Sequence, residues 1–177
     1  MEVIEKIPNQ FHGATLFHPS DFSVGDECAI AHAIKIAMAA NSADLHFLHT
    51  EKDQDIHWSD FPHVRETLKR WDLPADREEN NLEALKETHD HLLNVRKVRL
   101  QSKHAAKSIA NYVEESAPEL VILSTHQRKG VSRWLNKGIA EPVARKGKTK
   151  TLFVPRRIRG FVSTENGRVR LNQILIP

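Results

Sequence analysis

The chain has 177 residues and a mass of 20.2 kDa, which at roughly 150 residues per domain allows one domain with a short addition and excludes two full cores. Folding at this size hides about 70% of the extended surface, and 40% hydrophobic residues supply a core without metal or disulfide staples. With 28% charged residues, a mean hydropathy of −0.49 and no apolar run near the ~20 residues of a spanning helix, an integral membrane protein is excluded.

Cys28 is the only cysteine, which rules out an internal disulfide and any cysteine-based zinc or iron-sulfur set. The opening MEVIEKIPNQ carries acids early and no long apolar stretch, so the expectation is a chain without a secretory signal that works in the cytoplasm. The net charge of +3 hides an asymmetry, since residues 1–127 hold 13 Lys/Arg and 21 Asp/Glu whereas residues 128–170 hold 13 and 2. A field of that sign attracts phosphates, nucleic acid or acidic partners. No aromatic platforms lie among the charges, which favours a solubilising face over nucleic-acid binding.

Strand and helix signals alternate along the chain, the pattern of a parallel α/β sheet. Residues 14–18 (ATLFH) form a short apolar run stopped by Pro19, followed by the turn residues Ser20-Asp21-Phe22-Ser23. Residues 24–40 are Ala-rich and place Cys28, Ala31, Ile34, Ala37 and Met38 on one helical face. Residues 45–49 (LHFLH) read as a second strand. In 94–101 (NVRKVRLQ) charges interrupt both faces, which predicts an edge strand. A helix over 103–115 follows, with Ala106, Ile109, Ala110 and Val113 as its stripe; 120–123 is a central strand. A short helix over 139–145 tolerates Pro142 only in its first turn, and 149–154 (TKTLFV) closes the unit.

Two segments fall outside that alternation. Between the second and third strands, residues 51–93 carry two helical stretches, the first with Phe61, Val64, Leu68 and Trp71 at helical spacing; such an insertion is a lid, a partner surface or a cover for the sheet. After Pro155, residues 159–162 and 168–171 flank Asn166-Gly167, a hairpin signal, and 173–176 (QILI) read as a further apolar strand. The expected division is therefore 1–155 for the α/β domain and 156–177 for a basic hairpin extension, the start of a second repeat or a dimerisation arm.

The segments Leu16 to Ser23, Ala33 to Ala37, Asp44 to His49, Glu119 to Leu123, Ser124 to Arg128, Ile139 to Glu141 and Thr151 to Pro155, in this order, resemble the universal stress protein family over Gly13 to Pro155. The resemblance implies an open five-stranded parallel sheet of order 3-2-1-4-5 with helices on both faces, of the adenine nucleotide alpha hydrolase-like kind, and a homodimer joined through the last strand. It also implies, in nucleotide-binding members, a glycine-rich frame after the fourth strand whose amides hold phosphates. Here that frame reads Ser124, Gln127, Lys137 and Gly138, and no motif position matches. Gln127 and Lys137 crowd a place where glycine lets backbone approach a phosphate, while Arg128, Lys129 and Lys137 bring positive charge and Gly130 and Gly138 keep freedom.

The resemblance thus implies a stress-response module with a degenerate nucleotide loop, working through a protein partner without catalysis. The alternative is an ATP or AMP sensor that uses Asp21 with the basic 124–138 loop. Its candidate residues are Pro19, Asp21, Ser124, His126, Gln127, Arg128, Gly130, Lys137 and Gly138. Asp21 stands where relatives bring a carboxylate near the adenosine, although it or Ser23 could equally cap the following helix. His18, His49 and His126 fall at neighbouring strand ends, but hydrogen-bonded loop histidines are commoner than a zinc site. His89 and His91, two residues apart, face different sides of a helix and make a poor chelate. No nucleophile elbow, Walker loop or zinc-helix motif is present.

Overall fold

The computed structural model describes residues 14–40, 44–51, 62–73, 93–125, 139–156 and 159–171. In chain order these give β1 (Thr15–Pro19), a single 3-10 turn (Val24–Asp26), α1 (Glu27–Ala39), β2 (Asp44–Glu51), α2 (Pro62–Arg70), β3 (Asn94–Gln101), α3 (Ala105–Ser116), β4 (Leu120–Thr125), α4 (Ala140–Gly147) and β5 (Lys150–Pro155). All four strand pairings are parallel, and the sheet order is β3-β2-β1-β4-β5. β1 lies in the middle with β2 on one side and β4 on the other, so the winding direction reverses at the β1/β4 boundary.

Alternation along the strands splits the core between the two faces of the sheet. Leu16, Leu45, Phe47 and Ile122 pack under Ala29, Ile30, Ala33 and Ile34 of α1 and under Val64 and Leu68 of α2. Phe17, Leu48, Val121 and Leu123 face the other way, against Ile109, Ala110 and Val113 of α3 and Val143 of α4. The charged strand β3 is an edge, as its pattern predicts, with Arg96, Lys97 and Arg99 exposed. Pro142 sits in the first turn of α4, where its missing N–H costs nothing.

Within the 51–93 insertion α2 is a cover for the sheet: it inserts Val64 and Leu68 into the core and Trp71 packs beside them. The second expected helix, around 77–93, lies largely outside the described residues, as do 126–138 and the strand expected over 173–176. α1 departs from the single predicted stripe, because Ile30, His32 and Ala33 are buried along with Ala31, Ile34 and Ala37, while Cys28 and Met38 are only partly covered.

Ile30 and Ala33 pack on the sheet, whereas His32 is covered by the segment 159–171, which folds back over α1 and sets the Phe161 ring edge-on to the His32 ring, 4.4 Å between centroids. The expected hairpin is present there as one antiparallel bridge, Val162 with Val169. Gly167, at φ +65°, closes its turn with an N–H to the carbonyl of Ser163. Two main-chain bonds frame the bridge, from the Ser163 N–H to the Arg168 carbonyl at 3.0 Å and from the Arg170 N–H to the Phe161 carbonyl at 2.7 Å, and side chains bond polar groups beside it. The N–H of Val162 donates to His32 Nε2 at 3.2 Å, and the carbonyl of Thr164 accepts from Trp71 Nε1 at 3.2 Å and Arg70 Nη1 at 3.0 Å.

Candidate functional site

In a parallel sheet the loops beyond the carboxyl ends of the strands diverge where the winding direction reverses, leaving a crevice in which ligands bind. Here the crevice lies above Pro19 at the end of β1, Ser124 and Thr125 at the end of β4, and Pro155 at the end of β5. The β1–α1 turn forms one wall. Ser20 Oγ accepts the N–H of Phe22 at 3.0 Å and donates to Asp26 Oδ2. Phe22 takes φ +52°, a left-handed geometry that a bulky residue adopts only under constraint. Asp21 does not cap α1; its Oδ1 accepts the N–H of Ser23 at 3.0 Å and the Ser23 hydroxyl at 2.7 Å, an Asx turn.

From the opposite wall comes Arg156. Its Nε donates to Ser124 Oγ at 2.6 Å, its Nη1 to Ser23 Oγ at 3.2 Å, and its Nη2 to Asp21 Oδ1 and Oδ2, each at 3.0 Å. Burial works against ionisation of Asp21, but the Ser23 hydrogen bonds and the Arg156 guanidinium outweigh it and hold the carboxyl below its ordinary value.

Beneath the turn lies a second charge pair. His18 projects from β1, donates through Nδ1 to the carbonyl of Ile122 at 2.9 Å, and sets Nε2 3.3 Å from Asp26 Oδ2. Both side chains are fully buried. Burial pushes each toward its neutral form, yet each holds the other charged: His18 is raised, and Asp26 is lowered to about 2. The Ser20 hydroxyl also donates to Asp26, so in this group serine faces an acid and not a histidine.

The family model described as "Universal stress protein family" matches residues 18–155. The chain belongs to the universal stress protein family. Solved structures share its fold, three of them as follows. A universal stress protein in complex with cAMP superposes with a TM-score of 0.53 at 16% identity, covering 82% of this chain and 98% of that one. Universal stress protein UspA from Lactobacillus plantarum gives 0.50 at 16%, covering 81% and 98%. A universal stress protein from Archaeoglobus fulgidus DSM 4304 gives 0.52 at 17%, covering 81% of this chain but 44% of that one. No curated protein matches the chain.

Of the residues that the sequence proposed for a site in this universal stress protein domain, Pro19, Asp21 and Ser124 come together at the crevice. His126, Gln127, Arg128, Gly130, Lys137 and Gly138, with Lys129, lie outside the described residues. The strand-end histidines part company: His18 lies under the crevice as the partner of Asp26, and His49 donates through Nδ1 to the Ser20 carbonyl at 2.8 Å. Among the described residues no three His, Cys, Asp or Glu side chains gather as a metal site. Sequence reasoning missed Ser20, Ser23, Asp26 and Arg156. The two hydroxyls stood in the turn read at 20–23 and Asp26 in the segment read as helix, but an arginine after the last strand carries no local mark of its partner. No described helix is long and apolar enough to cross a membrane.

Proposed function

We propose that this universal stress protein domain is a non-enzymatic, cytoplasmic interaction module of the stress response, dimeric through β5, whose crevice is not governed by a nucleotide. The observation that carries the reading is the closure of the crevice's polar groups upon one another: Asp21, Ser23 and Ser124 all bond Arg156. A nucleotide entering there has to compete with an internal guanidinium for the acceptors it needs. For association, the two sheet edges differ. β3 carries Arg96, Lys97 and Arg99, charges that discourage a further strand, whereas β5 shows Phe153 at 45% exposure.

The second reading is the ATP or AMP sensor built on Asp21 and the basic 124–138 loop. It is favoured by the fold neighbour in complex with cAMP and by the position of Asp21 at the reversal of the sheet. One experiment separates the two. Protein purified from cells is denatured and its small molecules identified by mass spectrometry, and the refilled protein is titrated with Mg-ATP and AMP by calorimetry. An empty extract and a flat titration are expected; a nucleotide near one per chain establishes the sensor.

A further inference from the structure

The backbone N–H of Arg156 donates to the carbonyl of Thr125 at 2.8 Å, so its main chain is fixed against the end of β4 by the same ladder that builds the sheet. From that anchor the side chain crosses to the β1–α1 turn. It is 13% exposed, and its Nη2 also lies 3.8 Å from the buried Asp26 Oδ1. Gly25 makes room for it: a Cβ there would stand 3.3 Å from Arg156 Cδ.

We propose that Arg156 is a built-in plug of the crevice, which takes from Asp21 the hydrogen bonds that the vicinal hydroxyls of a nucleoside or sugar would use. The proposal rests on the reading of the crevice just given and names what that crevice rejects. A carboxylate offers about four acceptor positions. Asp21 Oδ1 accepts the Ser23 N–H, the Ser23 hydroxyl and Nη2 of Arg156, while Oδ2 accepts Nη2 alone, so a diol reaches both oxygens of the half-exposed carboxylate only by moving the guanidinium aside. A diol that takes both oxygens has to displace a guanidinium whose bonds to Asp21 are charged on both sides. The plug therefore decides specificity at the mouth of the crevice.

The test titrates adenosine, AMP and ATP into the full-length wild type, R156A and R156Q by calorimetry. R156A and R156Q should bind adenosine at least tenfold more tightly than wild type, and adding D21N to R156A should remove the gain. Folded R156A and R156Q with no increase in adenosine affinity overturn the plug. Wild-type uptake of nucleotide would sink the nucleotide-independent reading above, whereas the plug stands or falls on the difference between variant and wild type. If both variants lose their fold, the wild type still decides: its Arg156 Nε–H, bound to Ser124, should give a 15N NMR resonance that exchanges slowly with solvent. Exchange as fast as that of a solvated arginine overturns the proposal.

Discussion

The Nε2 atom of His18 lies 3.3 Å from Oδ2 of Asp26, and solvent reaches neither side chain. Two charges removed from water this completely persist only because each compensates the other, and because Ser20 and the Ile122 carbonyl satisfy further polar atoms. The pair ties the middle strand of the sheet to the turn that opens α1. It therefore sets the height of the crevice wall that bears Asp21.

Acid should weaken the domain through this pair. The Asp26 carboxyl falls from 3.8 to about 2 on folding, so its contribution is complete above pH 4 and is lost as pH drops through 2, a change of about 2 kcal/mol. His18 is raised, so its contribution is complete below pH 6.5 and declines as pH rises through its folded value. Denaturant unfolding from pH 2 to pH 8 should show a steeper acid limb in wild type than in D26N, which keeps only the share of Asp21 and the other carboxylates. D26N itself should be about 3 kcal/mol less stable at pH 6. Equal acid limbs in the two proteins would contradict the pairing.

His32 works in the opposite sense. Its partners assign the proton to Nδ1, which donates to the Cys28 carbonyl at 2.6 Å, and leave Nε2 to accept the Val162 N–H. Burial lowers its pKa more than the Cys28 hydrogen bond raises it. The neutral ring's contribution is thus complete above pH 6.5 and lost as pH falls through the lowered folded value. Amide-exchange protection of Val162 should drop between pH 7 and pH 5, relative to the intrinsic rate. Protection that stays flat over this range would mean the ring does not hold the segment.

Gly160 makes the close approach of the same segment to α1 feasible. A Cβ there would lie 2.1 Å from His32 Cε1 and 3.1 Å from Cys28 Sγ, so neither side can yield without moving the helix or the segment. G160A should cost about 2 kcal/mol and open Arg159, Arg168 and Arg170 to trypsin at native pH. Wild-type cleavage rates in G160A would refute the packing described here.

Phe153 should mark the association edge. Replacing it with glutamate places a charge on β5 where a second copy would pair. Light scattering of wild type should give twice the chain mass and F153E the single mass, with unchanged circular dichroism. A monomeric wild type, or an F153E that stays dimeric, removes β5 from the proposed function.

Legibility followed locality. Short apolar runs, turn residues and helical stripes marked all five strands and α1, α2, α3 and α4, because each depends on neighbours within a few residues. The order β3-β2-β1-β4-β5 came through resemblance, and the charges of Arg96, Lys97 and Arg99 independently marked β3 as an edge. Asp21 could be singled out because it sits in a turn just after a strand. Its role could not, since the sequence offers both capping and ligand contact, and the structure instead joins it to a residue 135 positions away.

The sequence by itself determined where strands end and which turn would line the crevice, for these are consequences of local periodicity and of proline, serine and aspartate chemistry. Only the tertiary structure decided that Arg156 meets Asp21, that His18 meets Asp26, and that residues 159–171 bury the far side of α1. Each of these rests on parallel register and on the reversal of winding at β1. Those bring together groups whose sequence separation leaves no periodic trace, and a buried charge or an outer helix face is defined only by what lies across from it.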